Sequence, residues 1–157
     1  METETIFVAG CRWFRVCVAD GGESLRATVT VAMDGRHEWT YEEPSWRPIA
    51  FGFGAESSYL WSARELIRLP RLQSDEPVVE VSTDEDLIFV FEHAGGWVLV
   101  CETSVRRVLG GEQTGRWELP EVAVRAVWRG EALAVLDEAG EEALLRVDGP
   151  DLVPVMP

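Results

Sequence analysis

The chain has 157 residues, 46% hydrophobic and 27% charged, the size and balance of a globular domain that buries a core without disulfide staples. No run reaches the roughly 18 apolar residues of a membrane span, and the acidic opening "METETIF" is unlike a secretory signal, so a cytoplasmic protein is expected. Net charge is −14, with 12 acids and 8 arginines in residues 1–78 against 16 and 6 in residues 79–157; such a surface repels nucleic acid and anionic lipid and attracts a basic protein partner.

Strand signals dominate from the start. "RWFRVCVAD", Gly21-Gly22, "LRATVTVAM", Asp34-Gly35 and "HEWTY" read as a three-stranded meander with hairpin residues at both turns. In the middle segment Leu25, Ala27, Val29, Val31 and Met33 alternate with polar or small residues, which gives one covered and one wetter face. Residues 43–48, within "YEEPSWRP", carry two prolines and read as a long connection. The one helix contender is "ESSYLWSARELIRL", residues 56–69, with serines to cap it and Leu60, Leu66 and Leu69 at compatible spacing. "STDEDL", residues 82–87, lacks the glycine and bidentate glutamate of a calcium loop and reads as a solvated turn.

The segment "DLIFVFEHAGGWVLVCE", residues 86–102, is a hairpin turning at Ala94-Gly95 or Gly95-Gly96. Leu87, Phe89, Phe91, Val98 and Val100 share one face, and Ile88, Val90, Trp97, Leu99 and Cys101 the other, so both faces need covering. A shift of 45 residues lays 76–102 on 121–147 without a gap and sets "FEHAG" on "LDEAG". Repeats of roughly 40–50 residues with short strands resemble β-propeller blades in spacing, although no blade signature motif is present. The expected fold is therefore a single all-β domain over 1–157, with antiparallel hairpin repeats in a partial β-propeller-like stack or, alternatively, a β-sandwich.

Catalytic constellations are poorly supported. Glu92 and His93 are strand neighbours pointing to opposite faces, so they do not form an acid–base pair. Cys11, Cys17, His37, His93 and Cys101 have no metal-ligand spacing, so neither metal nor cofactor is expected, and the three cysteines read as buried thiols. Arginine adjoins tryptophan at Arg12-Trp13, Trp46-Arg47, Arg116-Trp117 and Trp128-Arg129, an amphipathic arrangement with Trp inward and Arg outward.

The remaining candidates are the acids at the two aligned hairpin tips. If equivalent turns project from one side, Glu92, His93, Asp137, Glu138, Glu141 and Glu142 form a single acidic rim. The expected function is a non-catalytic protein-binding module, of the inhibitor or immunity type that neutralises a basic protein, with no nucleic-acid or membrane partner. The alternatives are a self-associating scaffold subunit, hence a homo-oligomer, or a small-ligand binder or enzyme using carboxylates at blade ends.

Overall fold

Alternation of apolar and polar residues, broken by glycine pairs, produces strands throughout. The computed structural model describes residues 2–9, 12–20, 25–32, 36–43, 50–53, 58–62, 64–69 and 78–156, and among them the fold is all-β, with no helix. The chain divides into two compact units, Met1–Glu80 and Val81–Pro157.

In the first unit, β1 (Glu2–Ala9), β2 (Arg12–Asp20), β3 (Leu25–Ala32) and β4 (Arg36–Glu43) form an antiparallel sheet in chain order. The three strands expected between residues 12 and 41 are β2–β4, and β1 adds an edge that the acidic opening concealed. The turns at Gly21-Gly22 and Asp34-Gly35, Met33 and most of the 43–48 connection lie outside the described residues. A second sheet runs in the order β5 (Ala50–Phe53), β6 (Ser58–Ser62), β7 (Glu65–Leu69) and β8 (Val78–Ser82). The helix contender is thus a pair of strands. Leu60 pairs with Ile67 and Trp61 with Leu66, and Tyr59, Leu60, Leu66 and Ile67 are buried. Leu60 and Leu66, six residues apart, stand about 120° from each other on a helix and so make a poor helical stripe, whereas on two adjacent strands both are buried.

The second unit holds β9 (Leu87–His93), β10 (Gly96–Cys101), β11 (Ser104–Leu109) and β12 (Glu112–Glu118) in one sheet. The other contains β13 (Ala123–Arg129), β14 (Ala132–Asp137), β15 (Glu142–Asp148) and β16 (Asp151–Pro154). The β9–β10 hairpin turns at Ala94-Gly95, with φ of 46° and 78°, the double positive φ of a type I′ turn. Phe89, Phe91, Val98 and Val100 face the β13–β16 sheet, packing in one cluster with Val105, Leu133, Val135 and Leu145. On the opposite face Val90, Trp97, Leu99 and Cys101 are also buried, so the hairpin is covered on both sides as its composition requires. Burial pushes the Cys101 thiol up to about 12, that of an inert core residue. Trp117 and Trp128 pack on the core while Arg116 and Arg129 are exposed, which matches the amphipathic reading of those two pairs.

The two sheets face each other with β9 and β10 against β13, and β11 and β12 against β16. The 45-residue shift lays β9 on β14, one strand out of frame. Sheet order makes β13 the counterpart of β9 and β14 that of β10, an offset of 36 from Leu87 to Ala123 and from Gly96 to Ala132.

A buried cation links the sheets. Arg107 is 1% exposed, and its guanidinium donates to the carbonyls of Gly149 (3.0 Å), His93 (2.8 Å), Ala94 (3.3 Å) and Trp97 (3.4 Å). Burial disfavours the charge and lowers its pKa from the ordinary value, and four backbone dipoles take the place of a counter-ion.

Candidate functional site

Alternate turns of an up-and-down sheet lie at opposite ends. In the second unit the turns at 94–95, 110–111, 130–131 and 149–150 share one end. Two contacts fix this: His93 stacks on Trp128 with ring centroids 4.7 Å apart, and Arg107 joins Gly149 to His93. The opposite end carries residues 83–86, the turn 102–103, the connection 119–122 and the turn 138–141.

The six expected rim residues therefore separate. Glu92 and His93 lie at the Arg107 end, partly buried. Burial, with help from the Arg107 charge, holds the His93 imidazole below its ordinary pKa. Asp137, Glu138, Glu141 and Glu142 lie at the other end. Asp137 does not project at all: it is 2% exposed, and Oδ1 accepts from the backbone N–H groups of Ala139 (3.0 Å) and Glu141 (2.9 Å). That is an Asx-type turn former, with Oδ2 buried and lacking a hydrogen-bond partner. Glu142 is drawn onto the sheet by Arg129, at 2.6 and 2.9 Å. Glu138 and Glu141 remain as exposed tip acids.

An acidic rim nevertheless exists at that end, built partly from residues the alignment missed. Three connections are stitched by backbone bonds: Leu119 N to Thr103 O (2.9 Å), Ala123 N to Glu102 O (2.8 Å) and Glu138 N to Val122 O (2.9 Å). They bring Glu102, Glu118, Glu121, Glu138 and Glu141 to one end, all but Glu102 exposed. Counting strands between glycine turns would have placed Glu102, Glu118 and Glu121 beside Glu138, because alternate turns share an end. No protein-family model and no curated protein matches the chain.

Beneath the rim lies a structured ionic cluster in place of the solvated turn expected from "STDEDL". Glu85 Oε1 accepts from Thr103 N and Oγ1, both at 2.8 Å, and Oε2 from Ser104 Oγ (2.6 Å) and Arg106 (2.5 Å). Burial opposes the carboxylate charge, but bonds from Ser104, Thr103 and Arg106 overcome it and hold Glu85 down to about 2. The buried Arg106 also bonds Asp84 at 2.6 Å, and the two acids raise its pKa against the burial that alone would lower it. Arg116 reaches Glu85 at 3.5 Å and pairs with Glu118. The arginines at this end are thus neutralised internally, and the outer charge is that of the acids. Among the described residues no three His, Cys, Asp or Glu side chains converge as a metal site, and no helix is long and apolar enough to cross a membrane.

Proposed function

We propose that the protein is a non-catalytic binding module made of blades of an incomplete β-propeller, and that its acidic rim docks a basic protein and neutralises it. The blade reading is supported by four-stranded sheets in strict chain order and by the facing of β9 and β10 with β13 and of β11 and β12 with β16; propeller blades are built this way. The binding reading rests on one observation: three backbone-stitched connections gather Glu102, Glu118, Glu121, Glu138 and Glu141 at one end, where both arginines are already paired. A fixed array of one sign steers an oppositely charged protein, acting mainly on the association rate and screened by salt.

The test is association kinetics by surface plasmon resonance, with lysozyme and protamine as cationic probes. Binding weakens between low and physiological salt. Reversing Glu121, Glu138 and Glu141 to arginine slows association about tenfold or more, while Glu92→Arg and Glu112→Arg, at the opposite end, leave it unchanged. Equal effects from the two ends, or none from the rim, would refute the proposal.

A further inference from the structure

Within the second unit the β13–β16 sheet is covered on one face only. On its outward face the register sets Val127, Ala134 and Leu144 side by side across three strands, with Ala134 only 2% exposed between the paired Arg129 and Glu142. Val155, whose N–H bonds the Leu144 carbonyl at 2.8 Å, continues the row. Val127 is 36% exposed and Val124, at the bulge beside Arg125, 50%.

The charges around this apolar row are arranged asymmetrically. Of the six arginines in residues 79–157, Arg106 and Arg107 are buried and Arg116 is paired inside the rim cluster. The other three, Arg125, Arg129 and Arg146, all lie on this face. Arg125 and Arg129 stand on β13, at one edge. The acids Glu142, Asp148 and Asp151 stand on β15 and β16, at the other. The face is therefore balanced in a chain whose net charge is −14, and a second copy meets no net repulsion there.

We propose that two copies of this chain dock through the outward face of β13–β16, about a two-fold axis lying in the interface along the strands. An isologous contact requires a self-complementary patch. This axis lays β13 of each copy over β16 of the other, so the Arg129–Glu142 pair within each copy (2.6 and 2.9 Å) meets the other copy's Asp151 at its arginine end and Arg125 at its glutamate end, extending the pair into an ion network. Val127, Leu144 and Val155, the members of the row that reach the surface, pack between them. Arg146, the one cation on the acidic side, falls over Ala132, small enough to leave it room. Four strands about 4.8 Å apart and six residues of about 3.4 Å give a face of about 19 by 20 Å. That is about 380 Å² per copy, below the size of a standard interface, so the dimer is weak and concentration-dependent. This contact uses none of the rim acids, and the Glu121, Glu138 and Glu141 reversals leave it intact.

Sedimentation equilibrium of the full chain, from micromolar to about 1 mM, tests the proposal. The expected result is a monomer–dimer equilibrium. Val127→Glu, at a site exposed enough to keep its melting temperature, weakens it about tenfold or more. Arg129→Asp and Asp151→Arg each weaken it too, and an equimolar mixture of those two recovers a heterodimer. A monomer at every concentration overturns the proposal. So does a dimer indifferent to Val127→Glu, or a mixture no stronger than its separate components.

Discussion

Replacing Glu85 with glutamine tests whether the cluster beneath the rim stabilises the fold. The carboxylate is 16% exposed and its partner Arg106 6%, so this is a shielded pair. Glutamine keeps one oxygen for Thr103 but turns an amide donor toward Arg106, donor against donor. Lowering the Glu85 pKa from 4.5 to about 2 corresponds to about 3 kcal/mol. Breaking a buried pair costs about 3–5 kcal/mol, and here Asp84 still holds Arg106. A loss of about 2–3 kcal/mol at neutral pH is expected, read from urea unfolding. The folded-state pKa lies below the unfolded one, so the contribution is full above about pH 5 and disappears as pH falls through about 2. The gap between wild type and Glu85→Gln must narrow over that interval. A gap that stays constant with pH, or one below about 0.5 kcal/mol at neutral pH, refutes the reasoning.

Two further substitutions probe the β9–β10 hairpin and its clamp. At Gly95 an added Cβ meets nothing within 4 Å but φ is 78°, whereas at Gly96 it collides with the Val108 carbonyl and the Leu109 side chain. Gly95→Ala should cost about 1 kcal/mol and Gly96→Ala clearly more, an order that thermal denaturation will reverse if the turn is misplaced. Arg107→Met strips the donor from the carbonyls of Gly149, His93 and Ala94, each costing about 1–3 kcal/mol if left buried; urea unfolding should show a loss of at least about 3 kcal/mol, not restored by lysine. Wild-type stability in Arg107→Met would mean that the carbonyls find other donors.

Much of the strand content was legible because period-two alternation and glycine turns are local signals. The faces of the 86–102 hairpin followed from alternation from Phe89 to Val100, but a register irregularity between Val100 and Cys101 sets Leu87, expected on the phenylalanine face, opposite Cys101. The repeat was found in the wrong strand frame for the same local reason. "AG" marks a hairpin but not which hairpin of a sheet, and "EHAG" ends a first strand where "DEAG" ends a second. That error of one strand sent Glu92 and His93 to the wrong end. Asp137 looked like a tip acid because nothing in its sequence says that its carboxylate binds the N–H groups of its own turn. Arg107 and Glu85 were illegible in a stronger sense: their partners lie up to 42 and 21 residues away. An arginine beside an arginine on a strand gives no hint that both are buried, one on carbonyls and the other on acids.

Every described backbone ladder joins strands consecutive in the chain, and none runs from one sheet to the next. A gene segment encoding one four-stranded sheet could thus be duplicated or lost without unpairing a strand elsewhere. What joins β9–β12 to β13–β16 is chiefly the facing side chains, the cluster of Val98, Val100, Val105, Leu133, Val135 and Leu145 and the Arg107 clamp. Selection on an inserted or deleted sheet would therefore act on those facing side chains and not on strand pairing.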